Sequence, residues 1–366
     1  MPLTAGIVGL PNVGKSTLFN AITSSKVEAA NYPFATINPN TGTVEVKDER
    51  LDVLTKMFNS QKTIPTIFEF KDIAGLVKGA SKGEGLGNQF LSNIREVDAI
   101  CHVVRCFKDN DVLHVEGSVD SIRDAEIINL ELIMADLDSV QNRIDRIAKK
   151  AQTKDKLAAE EYNALLPIKE ALEQGRPARS VQTNEVTYPY IRNMFLLTSK
   201  PVIYVANMGE EDLMDLESNE NYQKLSKLAK EENAKIVPIC AKLEEELSEL
   251  SKEEKDEFLQ ELGLSCSGLD NLIKTSYETL GLQTYFTAGE KESRAWTFKK
   301  GMKAPECAGI IHTDFEKGFI KAEVYSFKDL VECGSEAALK EKGKLRIEGK
   351  EYVFQDGDVA HFRFNV

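Results

Sequence analysis

A glycine-rich segment near the N-terminus has the residue types and spacing of a phosphate-binding loop. A short apolar segment leads into G-x-x-x-x-G-K-S at residues 9–16, and a helix-like run follows. In a strand–loop–helix context the backbone N–H groups and the positive end of the helix dipole face a polyphosphate. Lys15 is expected to reach the β- and γ-phosphates, and the Ser16 hydroxyl to ligate Mg²⁺. The nucleotide-contacting residues predicted in this loop are Asn12, Val13, Gly14, Lys15, Ser16 and Thr17.

Two later segments carry residue types that complete such a site. Thr36 lies in a loop rich in proline and asparagine, where a threonine can join the Mg²⁺ shell, although an ordinary loop residue is the alternative. Residues 64–71 alternate like a strand and end in D-x-x-G, formed by Asp72 and Gly75. The aspartate of this motif holds Mg²⁺ through water, and the glycine N–H contacts the γ-phosphate. The predicted metal ligands are Ser16, Thr36 and Asp72.

The position that normally orients the attacking water carries the wrong residue type. Leu76 follows Gly75, where Ras-like enzymes have a glutamine, and a leucine side chain cannot hydrogen-bond water. Hydrolysis must therefore recruit another group or be slow. His114 lies in a polar loop and is one of only four histidines, so it could position the water; a surface histidine is the alternative. The predicted catalytic residues are Lys15, Gly75 and His114.

A third motif bears on the choice of base. Residues 201–207 read as a strand and end in N-M-G-E at 207–210, where a GTPase carries N-K-x-D. The aspartate of N-K-x-D accepts two hydrogen bonds from guanine, whereas the Glu210 carboxylate lies one methylene further out and Met208 replaces the lysine. Guanine donors left unpaired would be penalised. The motif therefore argues against tight GTP selectivity and favours adenine, with Asn207, Met208 and Glu210 as the predicted base-contacting residues.

A heptad repeat between these motifs predicts an antiparallel helical hairpin. The first apolar seam comprises Leu130, Ile133, Leu137, Val140, Ile144, Ile147 and Ala151. A polar stretch at 152–156 predicts the turn, and Gly175 and Pro177 predict the end of the second helix. The second seam comprises Ala158, Tyr162, Leu165, Ile168 and Leu172. Basic residues concentrate towards the tip, which is either a solvated face or a contact for RNA phosphates: Arg143, Arg146, Lys149, Lys150, Lys154 and Lys156.

Bulk properties narrow the class of protein. The 366 residues are 42% hydrophobic and 29% charged, which is typical of a soluble chain of two or three domains. We see no secretory signal and no apolar run long enough to cross a membrane, and the six cysteines lack C-x-x-C spacing, so we expect a cytoplasmic protein with reduced thiols and no membrane partner. The net charge of −13 argues against coating nucleic acid with the whole surface, but not against a local basic patch.

The motifs together resemble the YchF branch of the Obg-like P-loop proteins. The resemblance rests on GLPNVGKS at 9–16, NYPFAT at 31–36, the glycine-rich stretch 72–88, NMGE at 207–210 and DGDVAHFRFNV at 356–366, and it covers essentially the whole chain. It implies an α/β P-loop domain at 1–128 and 200–280, a helical coiled-coil insertion at 129–199 and a C-terminal TGS (β-grasp) domain at 281–366.

The same resemblance implies a function. Members of the family prefer ATP to GTP, hydrolyse it slowly, associate with ribosomes and carry a hydrophobic residue in place of the catalytic glutamine. His114 lines up with their loop histidine, and Asn12 resembles the asparagine of K⁺-stimulated relatives. We therefore expect a Mg²⁺-dependent ATPase that acts as a nucleotide-controlled switch on the large ribosomal subunit, with tRNA or rRNA as contacts of the hairpin and the TGS domain. The alternatives are an Obg-type GTPase and a nucleotide-gated scaffold with negligible turnover.

Overall fold

The computed structural model describes residues 3–24, 40–73, 86–109, 112, 114–153 and 155–365. These residues form two compact units. The first unit contains the described residues up to 276 except 44–68, and the second contains 44–68 and the residues from 277 onwards. Within the described ranges, no helix is long and apolar enough to span a lipid bilayer.

Helices and strands both occur throughout the described part of the chain. As far as residue 279 they are β1 (Thr4–Val8), α1 (Lys15–Ser24), β2 (Thr41–Val46), α2 (Glu49–Phe58), β3 (Thr63–Ile64), β4 (Thr66–Asp72), α3 (Leu86–Glu96), β5 (Ala99–Arg105), α4 (Ser121–Ala151), α5 (Lys156–Glu173), α6 (Tyr188–Arg192), β6 (Val202–Asn207), α7 (Glu220–Glu231), β7 (Lys235–Ile239), α8 (Ala241–Ser248), α9 (Lys252–Glu261) and α10 (Gly268–Thr279). The remainder are β8 (Leu282–Ala288), β9 (Ser293–Lys299), α11 (Ala304–Ile311), α12 (Thr313–Lys317), β10 (Phe319–Ser326), α13 (Phe327–Cys333), α14 (Glu336–Glu341), β11 (Arg346–Glu348) and β12 (Asp358–Phe364).

The first sheet has the strand order β2-β4-β1-β5-β6-β7. From β4 to β7 every neighbouring pair is parallel, and Ala5 of β1 pairs with Phe70 on one side and Ala99 on the other. All residues of β5 and β6 are buried, as expected for central strands covered on both faces. Because parallel strands end at the same edge, the loops after β1, β4, β5, β6 and β7 meet there. The predicted α/β fold is confirmed.

Helices α4 and α5 form the predicted helical hairpin. The buried contacts between them come from Ile133, Val140, Ile144 and Ile147 on α4 and Leu165, Ile168 and Leu172 on α5. The prediction is wrong at Leu130, which is 53% exposed. Helix α4 begins at Ser121 rather than near residue 129, and its first turns bury a different face, with Ala125, Ile128 and Leu132, against β5 and α7. The heptad seam therefore starts only where the helix leaves the sheet.

Buried polar contacts fix the base of this hairpin. The Asp136 carboxylate, fully buried on α4, accepts hydrogen bonds from the backbone N–H groups of Leu197 and Thr198 at 2.9 and 2.7 Å. Burial raises the pKa of Asp136, and these donors oppose that shift. After α5, the Arg179 guanidinium forms an ion pair at 2.7 Å with Glu232, which directly follows α7. These contacts attach the hairpin to its own unit.

The second unit is built on a sheet with the strand order β11-β10-β12-β8-β9-β3. Aromatic side chains, among them Tyr285, Phe298, Phe354 and Phe362, fill its core. Residues 44–68, which the sequence analysis grouped with the nucleotide-binding domain, lie in this unit. Leu51 and Leu54 of α2 pack with residues of β8, β9 and β12, and β3 pairs with β9. Such contacts between distant segments leave no periodic signal in the sequence.

Candidate nucleotide-binding site

The loop between β1 and α1 has the backbone that phosphate binding requires. Gly14 has a φ of +91°, and a Cβ atom at this position would collide with the side-chain amide of Asn207. The Leu18 N–H donates to the Gly14 carbonyl at 3.0 Å and starts α1, while Val13 is buried beneath the loop. Asn12 is exposed and has a φ of +62°. The ten-residue helix α1 therefore begins directly at the loop, and a helix N-terminus in this position can bind an anion.

Two residues predicted from separate motifs meet beside this loop. Lys15 at the start of α1 and Asp72 at the end of β4 form an ion pair, with side chains that are 12% and 26% exposed. The Ser16 side chain is exposed next to them, and Thr17 is half-buried. The lysine expected to bind phosphate and the carboxylate expected to act on Mg²⁺ are thus brought together. Thr36, Gly75 and Leu76 lie outside the described residues.

The oxygen atoms at this point suit Mg²⁺. The ion prefers oxygen ligands, keeps several waters and usually takes one or two carboxylates together with substrate phosphates. Asp72 supplies a partly exposed carboxylate and Ser16 a hydroxyl. Over the described part of the chain, no group of three or more histidine, cysteine and acidic side chains could form a metal cage of its own. The donor set therefore fits a metal held jointly with a nucleotide.

Asn207 joins three pieces of the site. Its side-chain amide donates to the Val13 carbonyl at 2.8 Å, and its side-chain oxygen accepts from the Ala241 N–H at 3.0 Å. Asn207 is only 4% exposed, so both polar atoms are used inside the protein. It therefore ties the phosphate-binding loop to the end of β6 and the start of α8.

The other two predicted base-contacting residues, Met208 and Glu210, differ in exposure. Met208 is 2% exposed, whereas Glu210 presents its side chain to solvent at the start of a short 3₁₀ turn. Glu210 also lines a pocket of about 290 Å³, together with Glu211 and the apolar residues Leu213, Met214, Leu243, Leu262 and Leu264. Sequence reasoning missed this apolar wall because its residues come from three separate segments. Of the three predicted base-contacting residues, only Glu210 has an exposed side chain.

His114 is enclosed rather than displayed on the surface. Its side chain is 4% exposed, and Nε2 lies 2.7 Å from Oδ2 of Asp124, whose side chain is 2% exposed. The Glu116 N–H donates to Nδ1 at 3.1 Å. Because Nδ1 accepts this bond, the ring proton of the neutral histidine belongs on Nε2, where it is donated to Asp124. Both ring nitrogens are therefore engaged by the protein, and the alternative of a surface histidine does not hold.

Sequence reasoning missed Arg105, which shapes the preceding loop. Arg105 ends β5 and is 1% exposed, and its guanidinium donates to the carbonyls of Phe107, Val112 and Asp109 at 3.3, 3.0 and 3.0 Å. Burial lowers the pKa of Arg105, but arginine remains charged. A charged residue closing an otherwise apolar strand was the available signal. Asp124 gave none, since it reads as an ordinary acidic residue in the first turn of a helix.

Two other buried groups on β5 are chemically quiet. Burial lowers the pKa of His102 to about 3, so its imidazole is neutral. Burial also raises the pKa of the Cys101 thiol to about 12, which excludes a reactive thiolate there. His102 and Cys101 therefore have a structural role in the core of the sheet.

Comparisons with known proteins agree with this architecture. A family model named MMR_HSR1, described as a 50S ribosome-binding GTPase, matches residues 4–140. A second, named YchF-GTPase_C and described as a protein of unknown function, matches residues 282–365. The ribosome-binding ATPase YchF of Bacillus subtilis is 62% identical over 366 residues, and that of Haemophilus ducreyi is 53% identical; both alignments cover 100% of each chain.

A solved structure gives the same result in three dimensions. The YchF GTPase of Schizosaccharomyces pombe superimposes with a TM-score of 0.90 at 42% identity, covering 99% of this chain and 97% of that one. The resemblance drawn from the motifs is thereby confirmed, including the P-loop domain and the C-terminal domain. The chain belongs to the YchF family.

Proposed function

We propose that this chain is a Mg²⁺-dependent ATPase that hydrolyses ATP slowly, prefers ATP to GTP and acts in the cytoplasm as a nucleotide-controlled ribosome-binding factor. The observation that carries the nucleotide-hydrolase part is the ion pair between Lys15 and Asp72. It supports the proposal because the side chains expected to bind phosphate and metal lie at one point, directly beside the start of α1. The B. subtilis and H. ducreyi relatives are named ribosome-binding ATPases, which supports the same assignment.

In this proposal the residues of the loop do most of the binding. Lys15 exchanges Asp72 for the β- and γ-phosphates, and the backbone N–H groups of the loop and of Gly75 hold the phosphate oxygens. Ser16, Thr36 and Asp72 hold the metal, directly or through water. Bound Mg²⁺ supplies neutralisation of the charge that develops on the phosphate oxygens. Asn207 keeps the loop in its binding conformation, because it fixes the Val13 carbonyl from below.

Slow turnover follows from the state of His114. In the proposed reaction His114 orients the water that attacks the γ-phosphate, which needs a ring nitrogen free for that water. Here the Nε2–H group donates a hydrogen bond to Asp124, and Nδ1 accepts one from the Glu116 N–H. At least one of these bonds must break before His114 acts, so the resting protein retains its ATP. This arrangement also favours the second candidate function, a nucleotide-gated scaffold with negligible turnover.

The preference for ATP rests on the segment at 207–210. The exposed Glu210 side chain is one methylene longer than the aspartate of N-K-x-D, and it lines a largely apolar pocket. Two guanine donors would meet a misplaced acceptor there, and a donor left unpaired costs about 1–3 kcal/mol. Asn12 remains a prediction as a determinant of K⁺ stimulation.

A titration of ATP and GTP with Mg²⁺, run side by side by calorimetry on the full chain, tests the nucleotide part. We expect ATP to bind at least about tenfold more tightly, which corresponds to about 1.4 kcal/mol. Equal or GTP-favouring affinity would make the protein an Obg-type GTPase, in line with the description of its N-terminal family model. A Lys15→Ala variant that binds ATP like the parent would overturn the site itself.

The ribosome-binding part is supported by the tip of the hairpin. Arg146, Lys149, Lys150 and Lys156 are all exposed around the turn between α4 and α5. Clustered, solvent-exposed cations of this kind suit RNA phosphates on the large ribosomal subunit or on tRNA. Arg143 is less available, because it forms an ion pair with Glu161 at 2.7 Å. Co-sedimentation with ribosomes, with and without ATP, measures this binding and its dependence on nucleotide.

A further inference from the structure

The hydrogen bond between His114 and Asp124 joins two differently structured parts of the chain. His114 lies in the irregular segment between β5 and α4, whereas Asp124 lies in the first turn of α4. Breaking the bond means that one of the two side chains leaves a buried site, since both are at most 4% exposed. Which of them moves depends on how firmly each is held.

Asp124 is held on several sides. Its other carboxylate oxygen, Oδ1, accepts from the Arg123 guanidinium at 2.9 Å. The start of α4 is capped by the Asp120 side chain, which accepts from the N–H groups of Ile122 and Arg123. The Ser121 hydroxyl donates to the Asn221 carbonyl on α7 at 2.7 Å. Among the described residues, the ring nitrogens of His114 are held by two bonds, one to Asp124 and one from the Glu116 N–H.

We propose that Asp124 is a positioning residue that holds His114 in a resting orientation, and that release of His114 from this carboxylate limits ATP hydrolysis. The inference rests on the proposed function, in which His114 orients the attacking water. Asp124 keeps the ring proton on Nε2 and occupies that nitrogen. Release of His114 makes Nε2 available to water, while Asp124 remains paired with Arg123 in the first turn of α4.

The size of the effect follows from the kind of hydrogen bond. A carboxylate acceptor makes a stronger bond than a neutral amide does, because a charged partner roughly doubles the strength. Asp124→Asn preserves the shape of the side chain but removes the charge. Weakening the restraint in this way is expected to raise kcat about fivefold, which is about 1 kcal/mol at tenfold per 1.36 kcal/mol.

Asp120→Asn is the matched control. It makes the same chemical change four positions earlier, at the cap of the same helix, and asparagine is an equally good capping residue. We expect the control to hydrolyse ATP like the parent. In Asp124→Asn we expect kcat to rise with KM for ATP unchanged, since Asp124 does not contact the phosphate-binding loop. In the double variant Asp124→Asn/His114→Ala the rise must disappear.

The imidazole nitrogens of His114 provide a second readout, which is measured on the parent protein. In the parent protein, ¹⁵N NMR of the histidine side chains should report His114 as the tautomer protonated on Nε2, with slow exchange of that proton. The signal is assigned by its loss in His114→Ala. An Nδ1-protonated or freely exchanging ring in the parent would overturn the proposal. So would a kcat of Asp124→Asn that is equal to or below that of the parent.

The failure of the proposed function gives a different pattern. If His114→Ala alone hydrolyses ATP at the rate of the parent, His114 does not orient the water, and both ideas fall. If His114→Ala is inactive but Asp124→Asn is no faster than the parent, the water-orienting role stands and only the restraint by Asp124 is refuted. The two single variants therefore separate the inference from the function on which it rests.

Discussion

Asn207→Ala is expected to lower the free energy of unfolding and to weaken ATP binding. The substitution removes a donor 2.8 Å from the Val13 carbonyl and an acceptor 3.0 Å from the Ala241 N–H. Val13 and Ala241 are only 1% and 2% exposed, so water does not readily replace the lost partners. A buried polar group left unsatisfied costs about 1–3 kcal/mol, and two such groups give about 2–6 kcal/mol.

The affinity for ATP should fall with stability, because the Val13 carbonyl belongs to the loop that wraps the phosphates. Without Asn207 the loop is free to adopt other conformations, and the binding-competent one is populated less. Urea unfolding followed by circular dichroism gives the stability, and calorimetry with Mg²⁺ and ATP gives the affinity.

Asn219→Ala provides the matched control. The Asn219 side chain also makes two hydrogen bonds to the backbone, donating to the Cys106 carbonyl at 3.0 Å and accepting from the Tyr222 N–H at 2.9 Å. It caps α7 and does not contact the phosphate-binding loop, so its loss should cost about 1 kcal/mol of stability with ATP affinity unchanged. Our account of Asn207 is refuted if Asn207→Ala unfolds within about 0.5 kcal/mol of the parent and binds ATP equally well.

Three further predictions test other parts of the molecule. In Asp72→Asn the gain in ATP affinity on adding Mg²⁺ should shrink about 10- to 100-fold, because a carboxylate expected to hold the metal is removed. The ATP affinity in EDTA should not fall, because the same substitution removes a negative charge near the phosphates. An unchanged response to Mg²⁺ would exclude Asp72 from the metal site. Lys150→Ala should reduce the salt dependence of ribosome co-sedimentation by about one unit of log–log slope, and the exposed Lys227→Ala on α7 should not. Burial raises the pKa of Glu244 above 4.5, and its Oε2 lacks a partner among the described residues. The folded protein therefore holds the Glu244 proton more tightly than the unfolded chain, and the free energy of unfolding falls as pH rises through the raised pKa. Glu244→Gln removes this fall, so the stability of the variant relative to the parent should increase with pH when both are unfolded in urea. A difference in stability that stays constant with pH would contradict this account.

The features that the sequence predicted well are local ones. The residue types of the phosphate-binding loop occupy one contiguous segment, and the hairpin repeats every three or four residues, so both patterns are visible without a structure. The seam failed only at Leu130, where contact with the sheet replaces contact with α5 and changes the buried face of the helix.

Features that depend on distant residues could not be predicted in this way. Residues 44–68 join the second unit through pairing of β3 with β9, more than two hundred positions later. The enclosure of His114 depends on a carboxylate ten positions on, across an irregular loop whose path no periodicity specifies. The two hydrogen bonds of the Asn207 side chain likewise form only when the loop after β1, the end of β6 and the start of α8 come together.

Helix α4 runs from the neighbourhood of His114 to the basic tip of the hairpin. Its 31 residues contain neither glycine nor proline, so it forms one stiff rod about 46 Å long. Asp124 lies near one end of this rod, against His114, and the exposed Lys149 and Lys150 lie near the other. A displacement of the tip by a bound partner would therefore be transmitted along the helix to its base. Coupling between two sites is reciprocal. A partner whose binding at the tip favours release of His114 would therefore bind more tightly to the protein once His114 is released.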